Sequence, residues 1–181
     1  MTNSENIKRI IDAYLKRLVE HEGNVLPKKI ELEMTDPNQN KNEEWKIWFP
    51  VASKVKDDEI KELENQLGCK YPDDYRMFLK HKHFYELYIS EASFYEHPIN
   101  SWKKSLTETI FREELKNDLL AKGFIPFANW EDWGLLCFDT NRNRKDCNYP
   151  IVLWDHEWPD KFENKYSNFY DFIVKNDIEN K

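Results

Sequence analysis

Asp155-His156-Glu157 sets an imidazole between two carboxylates, a combination that can move protons or ligate a metal. Consecutive residues on an extended chain point in opposite directions, so adjacency works against convergence on one reacting atom. The triplet reads as a strand end with structural hydrogen bonds. A wider set, Asp139, Asp155 and His156, would suit a metal-dependent hydrolase and is the one enzymatic arrangement kept open. His81 and His83 would share a face only on an extended segment; at the frayed end of a helix they diverge, and they read as a surface pair. Cys137 lies inside the apolar run Leu135-Leu136-Cys137-Phe138, where a thiol is inert rather than nucleophilic. The four glycines are scattered, which leaves neither a phosphate-cradling loop nor a GxSxG elbow.

Pro159-Asp160 followed by Glu163-Asn164-Lys165 has the letters of a PD-(D/E)xK nuclease. That chemistry needs carboxylates reaching one metal from separate strands, and the gap from Asp160 to Glu163 is too short to supply them. No complete active site results. What the same region does offer is a rim of aromatics and acids: Trp130, Glu131, Asp132 and Trp133 on one side, Glu157, Trp158 and Asp160 on the other. Tryptophans flanked by acids occur in cores and also as anchors of protein interfaces, and these seven are the candidate partner contacts.

Two short apolar runs must position that rim. Leu135–Phe138 and Ile151–Trp154 are each too short for a helix, and each is followed by an acid, Asp139 or Asp155. They predict two buried strands side by side, joined by the solvated segment Thr140 to Asn148 with Arg142, Arg144 and Lys145. Around them, Ile7, Ile10, Ile11, Tyr14, Leu15 and Leu18 predict a helix from Ser4, its N-cap, to about Glu20, with Gly23 as its stop. Lys29–Met34 alternates with period two and predicts a half-buried strand; Trp45–Phe49 predicts another, after a polar loop from Asp36 to Glu44. Asp57 or Asp58 can cap a helix bearing Ile60, Leu63 and Leu67, ended by Gly68, and Pro72 opens a second helix with Tyr75, Phe78 and Leu79 inward. Phe84–Ile89 is β-rich, Trp102–Leu120 predicts one long helix, and Phe169 to about Lys175 closes the chain as a helix. Helices and strands without regular alternation indicate an α+β fold.

The chain has 181 residues, enough for one domain that buries roughly 70% of its unfolded surface. Its formal charge of −7 argues against direct nucleic-acid binding, which depends on Lys and Arg neutralising phosphates, and favours a basic partner. Three cysteines without CxxC spacing and a charged N-terminal helix in place of a signal peptide predict a cytoplasmic chain. No apolar run approaches the length of a membrane span.

The order of these signals resembles the SUKH superfamily, the Smi/Knr-like domains. The likeness rests on Asp58-Glu59-Ile60, Leu63-Glu64 and Leu67-Gly68, then Tyr71-Pro72-Asp73-Asp74-Tyr75 with Phe78-Leu79. It continues through Ile125-Pro126-Phe127-Ala128, Gly134, Cys137-Phe138-Asp139, Pro150-Ile151-Val152, Trp154-Asp155-His156-Glu157 and the terminal Phe169–Ile173 helix. One departure is His81-Lys82-His83-Phe84, which stands where the family commonly has a glycine-rich turn. The resemblance implies one mostly antiparallel sheet flanked by helices over residues 49–174. Residues 1–48 form a helix-and-strand extension of the same single domain. It further implies a non-enzymatic, cofactor-free role. The expected function is a bacterial immunity protein (antitoxin) that neutralises a cognate polymorphic toxin, a nuclease, by direct binding. The alternative expectation is a regulatory scaffold for cell-envelope or signalling enzymes. Oligomeric state is not set by the sequence.

Overall fold

The computed structural model describes residues 2–40, 42–142 and 145–180; Arg144, in the connection between the two apolar strands, lies outside them. Helix α1 (Asn3–Glu20) is capped by Thr2, two residues before the expected cap. The Thr2 hydroxyl accepts from the Glu5 amide at 3.3 Å while the Glu5 carboxylate accepts the Thr2 amide at 2.7 Å, a reciprocal cap that Ser4 does not provide. Its Ile7, Ile10, Ile11 and Leu15 are buried on one stripe.

After α1 come β1 (Val25–Leu26), β2 (Lys46–Ile47) and β3 (Val51–Ala52), then α2 (Asp57–Leu67) and α3 (Asp73–Leu79). Gly68 ends α2 with φ +70°, the left-handed conformation that glycine adopts without strain. Next are β4 (Lys82–His83), β5 (Tyr88–Ile89), β6 (Ala92–Phe94), α4 (Trp102–Ile110) and α5 (Glu113–Asp118). The chain finishes with β7 (Phe124–Trp130), β8 (Gly134–Asp139), β9 (Ile151–Asp155), β10 (Phe162–Tyr166) and α6 (Phe169–Lys175). Six strands form one antiparallel sheet in the order β10-β9-β8-β7-β6-β5, and β1 with β2 and β3 with β4 form two small ribbons. The fold is α+β, with an N-terminal helix added.

The two apolar runs are neighbours, registered from Gly134 opposite Asp155 to Phe138 opposite Ile151. Leu136, Phe138, Ile151 and Leu153 face the main core with α1, α3 and α6. Leu135, Cys137, Val152 and Trp154 face a second cluster closed by Leu115 of α5 and Leu119, the residue after it. Burial on both faces is why these strands show unbroken apolar runs instead of alternation. The main core is aromatic: Phe127 stacks on Phe138 at 4.4 Å between centroids, and Tyr75 meets Phe169 edge-on at 5.2 Å.

Four expectations are corrected. Lys29–Met34 is not a strand: Ile30 and Met34 are buried, but Leu32–Met34 winds as a 3-10 turn and Leu32 stands 84% exposed. Only Lys46–Ile47 of the Trp45–Phe49 stretch is a strand, paired with β1. In Phe84–Ile89, only Tyr88–Ile89 enters the sheet, because Phe84 instead bridges to His97. The helix expected from Trp102 to Leu120 breaks after Ile110. Leu106 and Ile110 belong to the main core whereas Leu115 and Leu119 cover the opposite sheet face, and one straight helix cannot reach both.

Candidate partner-binding site

Three reversals of the large sheet lie together. Ser90 and Glu131 both adopt positive φ, 54° and 50°, at the tight turns that follow β5 and β7. The Glu131 amide donates to the Glu91 carbonyl at 2.9 Å, and the His156 amide donates to the Trp133 carbonyl at 3.3 Å. These bonds join the β5–β6, β7–β8 and β9–β10 connections side by side. The last is built by Asp155, whose carboxylate accepts the Glu157 amide at 2.9 Å while its carbonyl accepts the Trp158 amide at 3.1 Å. The Trp154 indole then donates to the Pro159 carbonyl at 3.0 Å, folding the loop back over the second cluster.

Beside these turns runs a groove of about 480 Å³ whose floor includes Leu115, Leu135 and Trp154. Glu114, Glu131 and Asp132 line it, with His156 and Arg112. An acidic groove with an apolar floor suits an inserted basic side chain, whose stem lies on the floor and whose charge meets the carboxylates.

The structure gathers part of the sequence-derived set. Glu131 and Asp132 are exposed on the groove, and Glu157 and Trp158 are exposed on the adjoining loop, with Trp158 at 64%. Trp133 is half-buried, and its indole N–H donates to Glu131 at 2.7 Å, so it orients an acid as well as packing on the core. Asp160 is exposed but turned toward the start of β7, 3.1 Å from the Lys122 ammonium. Trp130 is withdrawn as a contact. It is 9% exposed, belongs to the main core, and its ring lies beneath the Lys165 ammonium, 5.4 Å from the centroid. Glu91 and Glu114 were not among the sequence candidates. Glu91 carried a weak signal, since Tyr88-Ile89-Ser90-Glu91 followed by Ala92-Ser93-Phe94 reads as a hairpin once Ser90 is taken as its turn.

The enzymatic set does not assemble. Asp139 ends β8 and Asp155 ends the antiparallel β9, which puts them at opposite ends of the strand pair, about 17 Å apart at roughly 3.4 Å per residue. Asp139 is spent on Arg142 Nε at 2.6 Å and on Asn141, as a local brace. The two histidines read as a surface pair are not one. His81 is half-buried and faces Asp12 at 2.9 Å, whereas His83 is fully buried and stacked on His97 with centroids 4.9 Å apart. Among the described residues, no group of three or more His, Cys, Asp or Glu is placed to hold a metal. No described helix is long and apolar enough to cross a membrane. Cys137 is fully buried, and burial pushes its thiol pKa well above the usual range.

The sequence profile of the SMI1 / KNR4 family (SUKH-1) matches residues 54–175. The chain belongs to the SMI1/KNR4 family. That match runs from just before α2 to the end of α6, so the whole six-stranded sheet and every residue of the acidic rim lie inside the SUKH-1 segment, while α1 to β3 precede it. The family is known for immunity proteins, and a SUKH-1 domain directs attention to a protein partner. No curated protein matches the chain.

Proposed function

We propose that this chain is a cytoplasmic, non-enzymatic immunity protein that binds a cognate polymorphic toxin, a nuclease, and neutralises it by direct contact. The observation that carries the reading is the grouping of Glu131, Asp132 and Glu157 beside the exposed Trp158, next to a groove that can receive a basic side chain. A nuclease presents a cationic cleft to its phosphodiester substrate, and an acidic surface with an aromatic anchor is complementary to such a cleft. The net charge of −7 adds long-range attraction to that local match. SUKH-1 membership and the separation of Asp139 from Asp155 support a binding role over a hydrolytic one.

The test is to tag the chain in its source cells, capture it at low salt and identify bound protein by mass spectrometry. The expected result is one near-stoichiometric toxin domain that salt releases and whose toxicity the chain suppresses. Recovery of several housekeeping enzymes with no toxin assigns the chain to a regulatory scaffold instead.

A further inference from the structure

A second cavity, of about 530 Å³, lies toward the other end of the β7–β8 hairpin. The α2–α3 turn forms one wall with Leu67, Gly68, Cys69 and Lys70; Phe111 and Leu120 form another; Ile125, Lys145, Cys147 and Tyr149 lie across from them, and the polar side chains of Gln66 and Thr140 also line it. The volume falls in the range of small-molecule sites. Leu67, Phe111, Leu120 and Ile125 give it an apolar interior.

Its charge is the reverse of the chain's. The protein carries 34 acids against 27 bases, yet among the described residues no carboxylate lines this cavity, and its charged groups are Lys70 and Lys145. Every carboxylate of the rim is elsewhere. Lys70 and Lys145 are exposed, and neither forms an ion pair among the described residues. The half-buried thiols of Cys69 and Cys147, neither of them in a disulfide, are set into the walls.

We propose that this cavity binds a small anionic amphiphile: an aromatic or short acyl body enters the apolar interior while a carboxylate, sulfonate or phosphate head meets Lys70 and Lys145. The site is separate from the toxin-binding rim and does not depend on that function. An apolar interior alone would accept neutral and anionic molecules alike; two ammonium groups with no ion pair and no lining acid among the described residues select the anion.

The full chain is titrated with 8-anilinonaphthalene-1-sulfonate, with neutral N-phenyl-1-naphthylamine as the comparison probe. The expected result is one sulfonate bound per chain, about fivefold weaker in Lys70→Ala or Lys145→Ala and weaker again in the double variant, with the neutral probe insensitive to both changes. Both lysines are exposed, so these variants keep the fold. A second readout is alkylation by iodoacetamide followed by peptide mass spectrometry. The sulfonate at about ten times its dissociation constant should slow labelling of Cys69 and Cys147 by about tenfold. Sulfonate binding unchanged in the double variant, or unaltered thiol labelling at saturation, would overturn the proposal.

Discussion

His83 and His97 are stacked inside the protein with their Nδ1 atoms 3.1 Å apart. His83 Nε2 accepts the Lys54 amide at 2.8 Å, which places the proton of the neutral ring on Nδ1, from where it reaches the His97 carbonyl at 3.0 Å. His97 lies between Phe84 and Trp102, and its Nε2 has no hydrogen-bond partner among the described residues. Burial, reinforced by the His83 charge, lowers the His97 pKa to about 3, and burial also lowers that of His83. An unfolded histidine protonates near pH 6.5, so between that value and about pH 3 the unfolded chain binds more protons than the folded one. The stability from keeping His97 neutral is therefore complete above about pH 6.5 and is lost progressively as the pH falls toward 3. His97→Phe, which keeps a ring in the stack, should shrink the stability difference between pH 8 and pH 5 by about 2 kcal/mol. Urea unfolding at the two pH values measures it; an unchanged difference would place the proton linkage elsewhere.

Glu64 ties α2 to α3. Both its carboxylate oxygens accept from Arg76, at 2.6 and 2.7 Å, and one also accepts the Tyr71 amide at 2.9 Å. The carboxylate is buried and Arg76 is largely so. Glu64→Ala would leave a guanidinium and a backbone amide unsatisfied in the turn, and the expected loss is about 3 kcal/mol, read as a lower urea midpoint at an unchanged slope. Asp57→Ala removes only the exposed 3.5 Å contact to the same arginine and the Lys80 pair, which solvent screens, so it should lower the urea midpoint much less than Glu64→Ala does. Equal losses in the two variants would contradict the burial argument.

Gly134 is required by close approach, not by its backbone angles. An added Cβ would lie 2.9 Å from Leu153 Cδ1 and 3.0 Å from the Trp154 carbonyl oxygen on the neighbouring strand. The leucine tip can move, but the carbonyl is held in the β8–β9 ladder. Gly134→Ala should therefore cost about 1 to 3 kcal/mol by overpacking and disturb the adjacent Trp133 turn. Thermal unfolding and the near-ultraviolet tryptophan signal report the two effects; full retention of stability would show that the ladder yields.

The parts of the fold legible in sequence are those where local chemistry and burial agree. Gly68 and Pro72 punctuate α2 and α3 by their own backbone preferences, and the apolar runs around Cys137 and Leu153 can only be strands buried on both faces. The illegible parts are set by tertiary demand. Pro126 sits in β7 at a register shift, the solvent-facing Glu163 and Asn164 make β10 look like loop, and the break at Phe111 follows from two cores on opposite sheet faces. The rim was half legible. Glu131, Asp132 and Glu157 are exposed beside the turns while Asp160 turns to Lys122, and whether Trp130 or Trp158 faces solvent depends on the core beneath Trp130 and on the loop folded by Asp155. His97, between Glu96 and Pro98 in sequence, gave no sign of its partner.

The rim residues should act on different rate constants of the proposed complex. Glu131, Asp132 and Glu157 are exposed and contribute to the field that a basic partner meets on approach, so Glu131→Lys with Asp132→Lys should lower the association rate about tenfold at low salt, with the difference shrinking as salt is added. Trp158 lies open on its loop and would be desolvated only on docking, so Trp158→Ala should chiefly speed dissociation, at a cost of about 2 kcal/mol or more. Trp130→Phe is the counterpart: the ring is already buried beneath Lys165, so the change should alter stability and leave both rate constants near their original values. Surface plasmon resonance against the captured toxin domain, at two salt concentrations, separates these effects. Should Trp158→Ala bind with unaltered affinity while Trp130→Phe is weakened, the docking face is on another part of the molecule.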